Sequence, residues 1–348
     1  MLWNDIVSTL RENSPELFRV FVASEEYESI RDQHGRFLAK YTQRDPSACE
    51  VSMWLLKRGL LHVDWPDGAE FAVALTHDID YVVPKWSHIW RALHISIRSG
   101  DLREATKRLF SRWIKRFNPI VNIRHITKVE EEFNAKSTFF VLVNRQDYMA
   151  GVKLELIAED IAEAEDKGWE VGLHAGYFSY NDPRKIQTEK QKLERYVKHV
   201  VGIRNHFLRF DVPHSWLLLS RFFIYDSTYG YADAAGFRNG VCHPFKPATR
   251  EGTIIDIWEL PLSVMDTTLQ TYMKLDINSA FFLVKRLTRQ IKQVGGVLVL
   301  LWHNNRFDPL LSHDWHKLYI SLLKYFRDEK AYLASAFEII KLWEKQFS

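Results

Sequence analysis

Apolar residues fall along the chain in two alternating rhythms. Short unbroken runs, FAVALT before His77, STFFVLV before Asn144, WEVGL before His174 and VLVLLW before His303, have the length and β-branched content of buried strands. Between them apolar residues recur every three or four positions, in KLELIAEDIAEAEDKG from 153 to 168 and DPRKIQTEKQKLERYVKHV from 182 to 200, which predicts helices. Asn181-Asp182-Pro183 is a helix start, and Gly168 sits where a helix ends before the next strand. Strand alternating with helix predicts a parallel sheet. In such sheets the working side chains collect just past the carboxyl ends of the strands, and three of the four runs end directly on a His or an Asp.

The flanking regions carry less chemistry. Residues 1–68 hold helical patterns (SPELFRVFVA, CEVSMWLLKRGLL) and are read as an accessory segment before a catalytic unit over 69–348, with a turn at Pro66-Asp67-Gly68. From about 85 to 130, WSHIWRALHISIRSGDLREATKRLFSRWIKRF reads as a basic amphipathic helical insertion between the first two strands. Its charge run is read as a solvated face rather than a surface for an anionic ligand.

Composition narrows the classes. With 348 residues, 46% hydrophobic and 26% charged, the chain is ordinary globular protein, not disordered, collagen-like or low-complexity. A net charge of +3 from 47 basic and 44 acidic residues is too balanced to predict a nucleic-acid partner. Cys49 and Cys242 lie far apart with no framework spacing and are read as reduced thiols. The opening MLWNDIVSTLRENSPELF has no basic leader, so a cytoplasmic location is expected. VGGVLVLLW at 294–302 is about half the ~20 residues a transmembrane helix needs, so no membrane span is predicted.

Candidate chemistry begins at Thr76-His77-Asp78-Ile79-Asp80, where an extended backbone points both Asp side chains the same way. Two acids facing one cavity call for a cation or an Arg, which suggests a metal with one carboxylate as ligand and the other as base. Trp169-Glu170-Val171-Gly172-Leu173-His174 brings an imidazole to another strand end, and Gly202-Ile203-Arg204-Asn205-His206-Phe207-Leu208-Arg209 a further one with Arg on each side. One Asp and two His form a common donor set for a catalytic divalent ion.

At these residues the sequence resembles the NodB-like polysaccharide deacetylase superfamily, or carbohydrate esterase family four. Asp78 and Asp80 match the D-x-D variant of its first motif, KSTFFVL at 136–142 its second strand, and GWEVGLH at 168–174 the run into its second motif. RNHFLRF at 204–210 stands in the place of the Arg-containing third motif, and VLVLLWH at 297–303 resembles the strand that delivers its last His. The resemblance implies an α/β fold, a distorted (β/α) barrel of the polysaccharide deacetylase type with an N-terminal accessory segment and a helical insertion. It implies metal-dependent hydrolysis of an N-acetyl group on a carbohydrate. Asp80 and His174 would bind a divalent metal, zinc by default; Asp78 would be the base, Arg204 its orienting partner and His303 the acid for the departing amine.

One departure stands out. The family's second motif carries another His four residues after the first, and position 178 here is Phe. His206 is the favoured replacement, with water, Ser179 or His77 as the other candidates. Glu259 and Asp266 are expected to anchor sugar hydroxyls or support catalytic groups, and Trp258 or Phe245 to stack on a ring. The alternatives are a hydrolase of a non-sugar amide or ureide on the same barrel, or a catalytically silent carbohydrate-binding relative. The sequence does not specify the oligomeric state.

Overall fold

The computed structural model describes residues 3–61 and 63–347. Three helices, α1 (Trp3–Asn13), α2 (Pro15–Phe21) and α3 (Glu50–Lys57), precede the first strand, β1 (Phe71–Ile79). β1 is buried along its whole length and runs past Thr76 through His77 and Asp78, because Thr76 to Ile79 pair with the next strand. The insertion supplies α4 (Trp86–Arg98), α5 (Leu102–Phe110) and α6 (Ile123–Glu131). Strand and helix then alternate: β2 (Thr138–Leu142), α7 (Ala158–Asp166), β3 (Glu170–Ala175), α8 (Pro183–Leu193), β4 (Gly202–Asn205) and α9 (His214–Leu219). α7 and α8 are shorter than their apolar periodicity predicts; a 3-10 turn at Leu154–Leu156 takes up the start of the first.

Three two-residue strands follow, β5 (Tyr225–Asp226), β6 (Trp258–Glu259) and β7 (Val264–Met265). The chain closes with α10 (Ile277–Gln293), β8 (Val297–Leu301), α11 (Trp315–Asp328), β9 (Ala331–Ala334) and α12 (Ala336–Glu344). Every strand pairing is parallel, in the order β6-β5-β4-β3-β2-β1-β8-β7, with β9 beside the first half of β1. The result is the expected distorted α/β barrel, and its parallel sense gathers the carboxyl ends of β1, β3, β4 and β8 at one rim.

Two glycines inside the strands allow close approaches between neighbours in the sheet. A Cβ on Gly172 would lie 2.7 Å from the ring of Phe140, and one on Gly202 would lie 2.1 Å from the ring of Tyr225. The amino-terminal helices share the barrel's core, burying Trp3, Ile6, Leu10, Phe18, Phe21 and Leu55 against it. Buried Glu26 fastens them electrostatically, pairing with Arg238 and accepting from Tyr229 Oη at 2.7 Å. Cys49 and Cys242 are buried free thiols. No helix among the described residues is long and apolar enough to cross a membrane.

Candidate active site

A cavity of about 270 Å³ opens at the rim and is lined by Asp78, Asp80, His174, His206 and His303. Alternation along β1 sends Thr76 and Asp78 to this side and His77 to the other. Arg204 on β4 is fully buried: its Nη1 donates to Asp78 Oδ1 at 3.0 Å and to Thr76 Oγ1 at 2.8 Å. Its Nε and Nη2 bond the carbonyl and hydroxyl of Ser227, and the guanidinium lies 4.4 Å from the centre of the Phe140 ring. Asp78 is thereby fixed in orientation with a compensating charge beside it.

His174 Nδ1 lies 3.0 Å from the carbonyl oxygen of Arg204, its pairing partner on β4. A carbonyl only accepts, so Nδ1 carries a hydrogen and Nε2 is the nitrogen left to meet the cavity. That nitrogen faces Asp80 Oδ1 at 3.2 Å, and neither buried atom has a hydrogen-bond partner. Two acceptors this close and this buried need a proton or a cation between them. Burial by itself would raise the Asp80 carboxyl, but contact with His174 and the charges of His206 and His303 hold it well below the usual carboxylate range. Burial lowers the His174 pKa, and the facing Asp78 and Asp80 more than reverse that.

His206 follows β4 directly, in a turn where Phe207 and Leu208 take left-handed φ values of 63° and 52°. Such conformations are sparsely populated for bulky side chains and cluster at functional sites. The turn brings His206 Nε2 to 3.9 Å from Asp80 Oδ1 and leaves Nδ1 buried without a partner. Burial pushes its pKa down to about 4 against the pull of Asp80, which favours the neutral ring that a metal ligand requires. One donor atom each from Asp80, His174 and His206 falls within 4.8 Å of the others. One carboxylate and two imidazoles, with Asp80 Oδ1 and His174 Nε2 buried and without hydrogen-bond partners, fit a divalent cation, and the hydrogen bond from His174 Nδ1 to the Arg204 carbonyl would orient such a ligand.

His303 stands on the opposite wall. Asp266, just past β7, accepts from its backbone N–H and contacts its Nδ1, both at 2.7 Å, while Nε2 points to Asp80 Oδ2 at 3.7 Å. Burial lowers the His303 pKa, but Asp266 raises it further, to about 9; Asp266 itself is held down to about 2, with Arg306 also near.

The other expected residues divide. His77 lies behind β1, its ring nitrogens 2.7 Å from the carbonyl oxygen of Trp302 and 2.9 Å from Glu130 Oε1. The Ser179 hydroxyl donates to Glu189, and Phe178 is 62% exposed, outside the cavity. Of the three protein candidates for the extra ligand, only His206 reaches Asp80.

Glu259 and Trp258 depart from the expected substrate contacts. Glu259 is fully buried, accepts from Trp216 Nε1 at 2.7 Å, and is raised well above the carboxylate range by burial and by neighbouring Asp226. Trp258 packs edge-on against Trp3 in the core. Phe245 is likewise fully buried. Asp266 is placed to support His303 rather than to meet a sugar.

Three further wall residues come from places without a motif, Arg36 in the irregular stretch after α2, Lys85 before α4 and Tyr272 after β7, and a fourth, Phe207, comes from the third-motif stretch itself. Arg36 donates to Tyr272 Oη at 3.1 Å and to the Phe207 carbonyl at 3.3 Å, and is anchored by Asp32. Aromatic residues followed by polar ones in residues 22–49 give no periodic signal that could have placed it.

No family model matches the chain, and no curated protein matches it. Solved structures do. A Mycobacterium smegmatis protein assigned as a polysaccharide deacetylase superposes with a TM-score of 0.54 at 19% identity, covering 82% of this chain and 93% of its own. The Puue allantoinase gives 0.54 at 14% identity, covering 89% and 97%. A Pseudomonas aeruginosa PAO1 protein assigned as a polysaccharide deacetylase gives 0.53 at 14%, covering 89% and 98%. With the parallel strand order and the rim described above, these likenesses establish that the chain has the NodB-like polysaccharide deacetylase fold.

Proposed function

We propose that the protein is a metal-dependent hydrolase that removes an N-acetyl group from a carbohydrate. The observation that carries this reading is the meeting of Asp80, His174 and His206, with Asp80 Oδ1 and His174 Nε2 buried and unpartnered, between a charge-compensated Asp78 and an Asp266-supported His303. A divalent ion on those three donors, zinc by default, would supply the positive charge that polarises an amide carbonyl and makes water a stronger acid.

The chain's own groups do the proton work. Asp78, held by Arg204, is oriented to take the proton of an attacking water. His303 holds its proton near neutral pH, because its pKa is raised to about 9. With Asp266 on Nδ1, that proton is available from Nε2 on the cavity side, where a departing amine needs it as the C–N bond breaks. Arg36, Tyr272 and Phe207 form the wall on which a sugar ring would rest.

Acetate release from N-acetylated sugars by the zinc-loaded protein tests the reading, with Asp78→Asn as the control. Release that depends on Asp78 supports it; none across a panel of mono- and oligosaccharides would contradict it. The second reading, a ureide or cyclic-amide hydrolase, is favoured by two cations on the cavity wall, Arg36 and Lys85, which suit a substrate with an anionic group. Turnover of allantoin or a related ureide in the same assay, without acetate release, would select it.

A further inference from the structure

We propose that the α4–α5 hairpin docks the protein on the surface of an anionic phospholipid bilayer. Its core side is ordinary: Ile89 and Leu93 of α4 bury against Ala105 of α5. The outer side is not. Trp90 is 62% exposed, Ile97 60%, Leu102 69% and Trp113 65%, with Trp86 at 46% and Leu109 at 40%.

These side chains form one band. At 100° per residue Trp86, Trp90 and Ile97 fall within about 40° of one another on α4, and Leu102 and Leu109 within about 20° on α5. Ile97 and Leu102 stand on either side of the turn that joins the two helices. At the hairpin's base the rings of Trp86 and Trp113 meet edge to face at 5.8 Å. Scattered exposed apolar residues need no explanation, but a contiguous aromatic band does.

Charge says what covers it. Residues 85–116 hold nine Lys and Arg against only Asp101 and Glu104, a net +7 in a chain of net +3, so the remainder is net −4. Arg98 and Arg103, flanking the band near its tip, have no carboxylate partner among the described residues. Arg108 is buried on Asp308 and Lys115 pairs with Asp160, but Arg98 and Arg103 stay unpaired, so a second copy laid face to face would set basic side chains against basic ones, whereas anionic headgroups complement the charge. Tryptophan and leucine on one side of a helix with basic residues beside them suit the interface of a bilayer, the rings at headgroup depth and the cations on phosphates.

The band adjoins the cavity mouth. Lys85, next to Trp86, lines the catalytic cavity and donates to the carbonyl of Met149, which lines it too and is 64% exposed. Docking therefore presents the cavity to molecules held at a lipid surface, such as a lipid-linked glycan; this last step alone rests on the deacetylase reading.

Co-sedimentation tests the docking without any turnover. Full-length protein is spun with vesicles of phosphatidylcholine and phosphatidylglycerol in equal parts, and with phosphatidylcholine alone. Binding to the mixed vesicles, absent from neutral ones and weakened by salt, is expected. Trp90→Ser and Leu109→Ser should each weaken it on the order of tenfold, the effect of removing one large side chain from an apolar phase. Arg98→Glu with Arg103→Glu should weaken it further. Circular dichroism of each variant confirms that these exposed changes leave the fold intact. Absence of binding to mixed vesicles overturns the proposal, as does equal binding to neutral ones or binding indifferent to all four substitutions. A concentration-dependent dimer lost in Trp90→Ser, without vesicle binding, would assign the face to a second copy.

Discussion

Two buried clusters stand back to back on β1, one residue apart in sequence. Behind the strand, Glu130 accepts from every donor around it: Tyr319 Oη at 2.7 Å and His77 Nε2 at 2.9 Å on one oxygen, Trp169 Nε1 at 2.7 Å and Ser137 Oγ at 2.8 Å on the other. In front, Asp80 Oδ1, His174 Nε2 and His206 Nδ1 are buried atoms without hydrogen-bond partners, although the Asp80 side chain is partly open to the cavity and its Oδ1 faces His174 Nε2 at 3.2 Å. Both clusters join a carboxylate to imidazole, so residue type alone does not separate them. A satisfied network stabilises the fold. Unpartnered buried atoms also occur singly, at Trp302 and Trp343 for example, and what sets Asp80 and His174 apart is that they converge with His206 on one cavity. On the proposed reading His77 is structural and His174 is available to a ligand.

Substitutions should divide along the same line. The largest expected effect is on rate: Asp78→Asn should lower turnover on the order of 10³-fold, since a positioned base contributes about 10² to 10⁴. Its unfolding midpoint should fall as well, because Arg204 loses its buried counter-charge, so the rate is read on folded protein. Glu130→Gln should cost stability without touching the metal, about 3 kcal/mol in chemical denaturation, because the amide can no longer accept from all four donors. Its metal content should stay at the wild-type value. A loss of metal with unchanged stability in Glu130→Gln would collapse the distinction.

A third buried histidine sharpens the comparison. His243 bonds Ser52 Oγ and the carbonyl of Val294, both at 2.9 Å, and burial lowers its pKa to about 4. Its folded value lies below the ordinary 6.5, so between those values the unfolded chain binds a proton that the folded chain does not. The stability is therefore present above about pH 6.5 and lost on acidification, by about 2 kcal/mol between about pH 7 and about pH 5. Urea midpoints across that range should fall more steeply for wild type than for His243→Gln. The smallest effect belongs to Phe178, exposed and outside the cavity. Phe178→Ala should change stability by less than about 0.5 kcal/mol and leave metal binding intact.

The long apolar runs and their ending residues made β1, β2, β3, β8 and the rim legible from sequence, because a parallel strand buried on both faces leaves an unbroken pattern. β5, β6 and β7 have two residues each, too few for any period. That is why Trp258 and Glu259 were expected in a groove, although β6 carries them into the core. A carboxyl buried beside Asp226 and an indole leaves no local signature. Nor could Arg36 be found, because a tertiary fold alone brings it to a rim whose first strand begins thirty-five residues later. The insertion is helical and amphipathic as its pattern implies, but periodicity alone cannot tell an apolar stripe that packs inward from the part that faces out at Trp90, Ile97 and Leu102.

The central claim is that the unpartnered cluster is a cation site, and elemental analysis of purified protein after incubation with zinc and removal of the excess tests it most directly. The account predicts about one equivalent in wild type and in Glu130→Gln, and almost none in Asp80→Ala and His206→Ala. No bound metal in wild type, or full retention in both of the latter variants, would contradict it.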